Sequence, residues 1–199
     1  MDRIITKRGL ELLKPRTLFP AELQELVKKL PPVASIFFKY YNTGDYEEMF
    51  GKGEYVSLPN VSRYWIAFNV WFENLEFNGI KYKDSFQRIL PCNEILNEYS
   101  LYSQKYEVWH NEGFIKLGYM ANWDVILLGI EEYNLDEIWV HGEAIAPEKP
   151  HRFAKNIFEF MSNLYQYFTD EDLVDYTKGK VTGDQLYKNW NEDFWRIRE

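Results

Sequence analysis

The clearest pattern of apolar and polar positions lies between Gly113 and Val140, where two polar turns separate three short apolar runs. The runs are FIKLG, WDVILLGI and EIWV, and β-branched and aromatic residues of this kind pack well on a pleated surface. The turns, residues 119–122 and 131–136, are too short for a parallel crossover, so the stretch predicts an antiparallel three-stranded meander. The middle run has consecutive apolar residues at 125–128, which a strand tolerates only when both its faces are covered. We therefore expect this run to be the central strand of a sheet.

Two helices are predicted before this stretch, one on each side of the Pro31-Pro32 pair. The first begins near Pro20, because the fixed φ of proline suits the first turn of a helix. The second ends at Asn42-Thr43-Gly44, which supplies a C-terminal stop. Apolar residues recur at helical spacing in both segments, at Leu23, Leu26, Val27 and Leu30, and then at Ile36, Phe37, Tyr40 and Tyr41.

Between these helices and the meander, the sequence predicts further strands and one short helix. Aromatic and aliphatic residues alternate from Tyr64 to Phe72, which favours a strand. The Asn78-Gly79 pair lies between alternating apolar positions, and a two-residue hairpin turn needs residues that tolerate positive φ. A short helix is predicted to open at residues 90–94, with Asn93 as its N-cap.

The C-terminal third predicts two more helices. After Pro147 and Pro150, residues 154–168 place an apolar stripe on one helical face, which we expect to pack on the sheet. A last helix is predicted from residue 182, and its aromatic stripe either docks a partner or a second copy of the chain, or packs on its own domain. The stripe of the earlier helix comprises Ile157, Phe158, Met161, Leu164, Tyr165 and Phe168, and that of the last helix Trp190, Phe194, Trp195 and Ile197.

The order of helices, strands and helices predicts an α+β fold, in which helices surround a central antiparallel sheet. We expect a single domain over residues 1–199, with residues 176–199 as a C-terminal helical extension. A chain of 199 residues buries roughly 70% of the surface it exposes when unfolded, so a sizeable core is available. Aromatic residues make up 18% of the chain, more than a core alone requires, and displayed aromatics are typical of binding surfaces.

The charge of the chain is acidic and uneven. The formal net charge is -8, yet residues 1–30 carry seven basic and four acidic residues, so the remainder carries a net charge of -11. An acidic body repels nucleic acid and attracts basic proteins by electrostatic steering. Alternatively, the acidity serves only to keep the protein in solution.

The sequence also predicts a compartment. A single cysteine, Cys92, excludes an internal disulfide and gives no reason to expect an oxidising environment. The N-terminal apolar residues come in pairs rather than as the continuous run of a signal peptide, and no run has the length of a membrane span. We therefore expect a cytoplasmic protein that has no membrane partner.

Histidine and cysteine do not predict a catalytic or metal site. The chain has three histidines, and the spacing of His141, Glu143 and His151 matches no compact zinc pattern, so neither a metal nor a cofactor is expected. Cys92 has no recognisable base beside it and is predicted to be a small buried apolar residue. No glycine-rich phosphate loop is present in the sequence.

The paired carboxylates of the second turn raise the question of acid–base chemistry. Glycoside hydrolysis needs two carboxyl groups that face each other across a cleft, whereas Glu131 with Glu132, and Asp136 with Glu137, are adjacent in the chain and point apart. We interpret them as residues of a solvated turn. The sequence therefore predicts a protein that is not an enzyme, with a hydrolase that uses unrecognised carboxylates as a less favoured alternative.

Four blocks of the sequence together are similar to a known family. They are LPPVASIFFKYYNTG, ILPCNEIL, GFIKLGYMANWDVILLGI and AKNIFEFMSNL, and they stand in the order found in the SUKH superfamily, in its Smi/Knr-type branch. That branch is named for a fungal regulator of cell-wall synthesis and includes bacterial immunity proteins. The likeness covers about residues 20–170. The sequence departs from the family where Ala121-Asn122-Trp123 replaces glycines before Asp124, and residues 60–88 and 176–199 match no block.

The resemblance implies a non-catalytic protein that binds and neutralises a cognate toxin, often a nuclease. An acidic, aromatic-rich module suits a basic toxin, because carboxylates cover a cationic groove while aromatic side chains serve as anchors. A regulatory scaffold is the alternative function. An alternative interpretation of the two turns is that Trp123 packs inward and that the acidic residues only face water. The predicted protein-binding residues are Tyr119, Asn122 and Trp123 in the first turn, and Glu131, Glu132 and Tyr133 in the second.

Overall fold

Helices and strands were assigned in a computed structural model, which describes residues 9–44, 49, 70–72, 75–77, 80–82, 86–96, 112–120, 124–142, 146–166, 175 and 178–180. Among these residues, we number the helices α1 (Gly9–Leu12), α2 (Ala21–Val27), α3 (Pro32–Tyr40), α4 (92–96) and α5 (Ile157–Ser162). The strands are β1 (Val70–Phe72), β2 (Leu75–Phe77), β3 (Ile80–Tyr82), β4 (Phe86–Ile89), β5 (Phe114–Met120), β6 (Val125–Gly129), β7 (Ile138–Gly142), β8 (Ala146–Ala154) and β9 (Leu164–Gln166). The mixture confirms the predicted α+β class.

Strands β4 to β8 form one antiparallel sheet in chain order, with β6 in the middle. The predicted meander is confirmed as β5, β6 and β7, which pair successively in antiparallel register. The consecutive apolar run of β6 is covered on both faces, as expected. Ile126 and Leu128 belong to the main core cluster, whereas Leu127 is equally buried but lies outside that cluster. Alternate residues of a strand point to opposite faces, so Leu127 is buried on the other side of the sheet.

Two strands of this sheet were not predicted, namely β4 and β8. Strand β8 contains Pro147 and Pro150, after which the sequence predicts a helix. In the sheet order β8 is the outermost strand on one side, and an edge strand tolerates proline because its outward N–H groups are not needed for pairing. Prolines that indicate a break in secondary structure therefore lie within an edge strand here.

The described residues also include two two-stranded antiparallel sheets. The predicted hairpin pairing is confirmed, because β2 and β3 pair with Phe77 opposite Ile80. The predicted Asn78-Gly79 turn lies outside the described residues. The strand predicted up to Phe72 is described only as β1, which pairs with β9.

The helix predicted over residues 154–168 is confirmed over Ile157–Ser162 and is wrong at residues 164–166, while residues 167 and 168 lie outside the described residues. Helix α5 begins at Ile157, because Asn156 Oδ1 accepts hydrogen bonds from the backbone N–H groups of Phe158 and Glu159, both at 3.0 Å. It ends at Ser162, and β9 then pairs with β1. Apolar residues at helical spacing thus continue into a strand, because pairing with a distant segment overrides the local pattern. The expected helix beyond residue 182 lies outside the described residues.

Helices α3 and α5 pack beside each other over the core. Phe37 of α3 meets Phe158 of α5 edge-on, with ring centroids 5.6 Å apart. Phe86 of β4 and Phe160 of α5 pack similarly at 6.2 Å. Such pairs are worth about 0.5–1.5 kcal/mol beyond the burial of their area. The core therefore fixes both helices on one face of the sheet.

No helix of the described residues has the length and apolarity that crossing a bilayer requires.

Near the start of the meander, the short helix α4 follows β4. It begins at residue 92, and the N–H groups of Glu94 and Ile95 bond to the carbonyl oxygen of Pro91. Asn93 therefore lies within the first turn, and its predicted role as N-cap is wrong. Proline needs no N–H partner at a helix start, so Pro91 suits this place better.

Candidate protein-binding site

The second turn of the meander, residues 131–136, is held from within by the side chain of Asn134. This residue is 1% exposed. Its Oδ1 accepts a hydrogen bond from the backbone N–H of Glu131 at 2.9 Å, and its Nδ2 donates to the carbonyl oxygen of Gly113 at 3.0 Å. These bonds attach the turn to the start of β5. A buried polar group with both ends satisfied makes a local backbone conformation unique, so this turn is rigid.

Three side chains on the outside of this turn face solvent. Glu131, Glu132 and Tyr133 are all exposed, and Tyr133 is the most exposed aromatic ring among the described residues, at 70%. The Tyr133 hydroxyl donates a hydrogen bond to the carbonyl oxygen of Glu112, which fixes the ring across the neighbouring strand start. The described residues contain no ion pair of Glu131 or Glu132. The turn thus presents two carboxylates and an oriented aromatic ring.

Gly113 makes room for this arrangement. Its φ is +74°, which glycine adopts without strain, and a Cβ there would lie 2.6 Å from the Tyr133 hydroxyl oxygen and 2.5 Å from Cγ of Glu131. Only glycine leaves space for both side chains at this crossing. The positions of the exposed groups are therefore determined by the backbone beneath them.

Asp136 closes the turn and is a buried structural residue. Its Oδ1 accepts a hydrogen bond from the N–H of Ala34 at 2.8 Å, and its Oδ2 accepts from the N–H of Val33 at 3.0 Å. These donors lie at the N-terminus of α3, where Pro31 has no side-chain oxygen with which to cap the helix. The carboxylate also lies at the positive end of the helix dipole. The prediction of a solvated turn is wrong for this residue, which is only 7% exposed.

Glu137 also has structural partners. Its Oε1 accepts a hydrogen bond from Arg152 Nη1 at 2.8 Å, and its Oε2 accepts from Trp139 Nε1 at 3.2 Å. Adjacent carboxylates do point apart, since Asp136 caps α3 while Glu137 lies over β7 and β8. The pair therefore forms no cleft of the type that acid–base hydrolysis needs.

An apolar groove lies directly beside the turn. It has a volume of about 620 Å³ and is lined by residues 29–32, Leu96, Ile115, Ile130 and Leu135. Among these described lining residues, Lys29 is the only titratable one. The lining thus suits the burial of an apolar group and does not assemble an acid–base pair.

The capping bonds of Asp136 join the two walls of this groove. Pro31 and Pro32 form one wall, directly before the N–H groups that Asp136 caps. Leu135, in the other wall, directly precedes Asp136. The distance between the walls is therefore set by two charge-assisted hydrogen bonds, which are stronger than neutral ones.

Tyr119 lies at the other end of the meander. Tyr119 pairs with Val125, whereas Phe114 pairs with Gly129 beside the second turn, and the five residue steps from Phe114 to Tyr119 span about 17 Å at ~3.3 Å per step. Successive turns of a meander lie at opposite ends of its strands. The structure therefore brings together Glu131, Glu132 and Tyr133, and separates them from Tyr119. Asn122 and Trp123 lie outside the described residues.

Two cationic side chains lie beside Tyr119. Lys116 Nζ donates a hydrogen bond to the Tyr119 hydroxyl at 2.6 Å and lies 4.9 Å from the ring centroid. Arg88 Cζ lies 5.6 Å from the same centroid. Tyr119 thus lies against two positively charged side chains, whereas the second turn presents two carboxylates.

Sequence reasoning did not identify the groove, Asn134 or Asp136 as important. Asn and Asp are ordinary turn residues, and nothing local indicates that these two are buried. One signal was available, because Leu135 is an aliphatic residue in an otherwise polar turn. It is 45% exposed at the edge of the groove. Within the described part of the chain, no three His, Cys, Asp or Glu residues converge on a place that could hold a metal ion.

Cys92 is buried in the core, as predicted, with 3% of its surface exposed. Burial raises the pKa of its thiol to about 11, and the positive charge of Arg16 opposes this shift only in part. We expect the folded protein to react with a thiol reagent at pH 8 at least about a hundredfold more slowly than the urea-unfolded protein, because the thiolate is the reactive form. Cys92 is the only cysteine, so the absorbance of released thiolate reports on it alone. Equal rates would contradict a buried, protonated thiol.

The likeness to the SUKH superfamily rests on the four sequence blocks and stays a prediction. No protein-family model matches the chain, and neither any curated protein nor any solved structure matches it.

Proposed function

We propose that this protein is an immunity protein that neutralises a basic protein toxin, such as a nuclease, by binding it through the second turn of the meander. The observation that carries the proposal is the rigid presentation of Glu131, Glu132 and Tyr133 on one exposed turn. The SUKH-like blocks of the sequence support the same function. The proposal includes no catalytic step by this chain.

Electrostatics favours a basic partner at this turn. The chain has a formal net charge of -8, and complementary charge increases the rate at which partners associate. A nuclease needs a cationic groove for phosphates, so carboxylates that enter this groove compete with its substrate. The oriented ring of Tyr133 adds apolar contact area at little cost in conformational entropy, since the ring is already fixed.

The test is co-expression with toxin genes found beside the gene for this protein. A neighbouring gene product should stop growth when expressed alone, and this protein should restore growth. The double variant Glu131→Lys with Glu132→Lys should weaken binding of the purified toxin by about tenfold to a hundredfold, measured as Kd by calorimetry. Both side chains are exposed, so the substitutions should not affect the stability of the fold.

The matched control is the double variant Glu22→Lys with Glu148→Lys. Both residues are exposed, and the net charge changes by the same amount, but they lie on α2 and β8 rather than on the turn. This control should retain nearly full binding. If no neighbouring toxin is neutralised, the proposed function is wrong. If both double variants weaken binding equally, net charge rather than the turn determines the interaction.

A further inference from the structure

We infer that the apolar groove beside the turn holds an aliphatic side chain of the partner, on a segment whose neighbouring Lys or Arg residue meets Glu131 and Glu132. This inference rests on the proposed function, because it assigns a recognition site for the same basic partner. It concerns the groove formed by residues 29–32, Leu96, Ile115, Ile130 and Leu135, of which only Leu135 belongs to the turn.

The floor of the groove is part of the protein core, while one edge is open to solvent. Leu30 and Ile115 are each 6% exposed and belong to the main core cluster. Leu135 is 45% exposed at the edge. An aliphatic side chain that remains this exposed in a rigid turn loses contact with water when a partner covers it, and this burial favours binding.

The groove exists before any partner arrives. The Asp136 carboxylate joins its walls through the N–H groups of Val33 and Ala34. Because the walls are already in place, binding does not require them to become ordered. The binding free energy therefore does not include the entropy cost of ordering the walls. The volume of about 620 Å³ lies within the range of ~300–1,000 Å³ that is typical of ligand sites. This size suits the side chains of a short segment.

Charge determines the class of occupant. Glu131 directly follows Ile130 of the lining, and Glu132 comes next in the chain. A positive residue beside the buried aliphatic group thus meets two exposed carboxylates. Lys29 contributes a positive charge to the lining on the α2 side, so the groove has a charge polarity that orients the segment. An acidic or uncharged segment lacks the complement of the turn.

The experiment uses the full chain and three capped synthetic peptides of equal length. The first combines Leu and Lys, the second replaces every Leu with Ser, and the third replaces every Lys with Glu. Binding is measured by calorimetry, and the contacted residues are mapped by chemical-shift changes. We expect the Leu-Lys peptide to bind at least about tenfold more tightly than either of the others, with shifts at Ile115 and Ile130.

Two variants test whether the groove is the site. Leu135→Gln should weaken binding of the Leu-Lys peptide by about tenfold, because it replaces the aliphatic edge with a polar group. Ile36→Gln is the matched control, since Ile36 is 46% exposed on α3 and does not line the groove. It should leave the affinity unchanged. Circular dichroism should show that both variants are folded.

The outcomes separate this inference from the proposed function. Equal binding of the Leu-Lys and Ser-Lys peptides, or an unchanged affinity of Leu135→Gln, overturns the groove as an anchor site, even where the protein still neutralises a toxin. Conversely, if the groove binds the Leu-Lys peptide as expected but no toxin is neutralised, the recognition chemistry is correct and the proposed function is wrong.

Discussion

The variant Asp136→Ala is expected to lower the free energy of unfolding by about 4 kcal/mol. It removes both acceptors of the Val33 and Ala34 N–H groups, and each hydrogen bond to a charged group contributes ~1.5–3 kcal/mol. The N–H of Ala34 then remains buried without this partner. Alanine must also adopt the φ of +65° that Asp136 has, and this costs about 1 kcal/mol. Urea denaturation, with the midpoint and slope fitted together, measures the change.

Two controls make this prediction specific. Glu25→Ala also removes one negative charge, but Glu25 is exposed and, among the described residues, pairs with Lys28 just beyond the end of α2, so its cost should stay below about 0.5 kcal/mol. Asp136→Asn keeps one acceptor and tolerates positive φ, so its loss should fall between the two. If Asp136→Ala is no less stable than Glu25→Ala, the capping bonds do not hold α3 to the turn.

Asp136 also shows why part of the candidate site was beyond sequence reasoning. The residue lies in a short polar turn, where exposure is the ordinary expectation. Its partner, the N–H of Ala34, is 102 positions away in the chain. No local spacing records such a contact. The groove was not predicted for the same reason, since its lining comes from separate segments that meet only in the folded chain.

The meander was predictable because its signals are local. Consecutive apolar residues at 125–128 required a strand covered on both faces, and Leu127 is buried on the face opposite to Ile126 and Leu128. Short turns required antiparallel pairing, and the register of β5, β6 and β7 follows. Each of these inferences depends on a few neighbouring residues and on backbone geometry.

Predictions failed where a distant partner decides the structure. Residues 164–166 continue a helical pattern, yet they form β9 because β1 offers hydrogen bonds to them. Pro147 and Pro150 indicate a break, yet an edge strand accepts them. The predicted site residues are separated from each other for a related reason. Tyr119 and Glu131 both lie beside turns, and the alternation of a meander places those turns at opposite ends of the sheet.

The variant Gly129→Ala is expected to reduce the free energy of unfolding by about 3 kcal/mol and to displace the second turn of the meander. A Cβ at Gly129 would lie 2.0 Å from the backbone oxygen of Asn134 and 2.7 Å from its Cγ. A backbone atom cannot rotate away as a flexible side chain can, so the turn must move, and overpacking of this kind costs ~1–3 kcal/mol or more. Asn134 then loses its alignment with Glu131 and Gly113.

Gly179→Ala is the matched control, because a Cβ at Gly179 meets nothing within 4 Å. Its φ is +70°, so it should lose only the ~1–2 kcal/mol that a side chain costs in the left-handed region. Thermal and urea unfolding compare the two, and amide chemical shifts of residues 131–136 report movement of the turn. A similar loss of unfolding free energy in both variants would mean that the turn moves to accommodate the new Cβ without cost. A larger loss in Gly129→Ala, with shifted turn amides and weakened partner binding, would show that the fold itself positions Glu131, Glu132 and Tyr133.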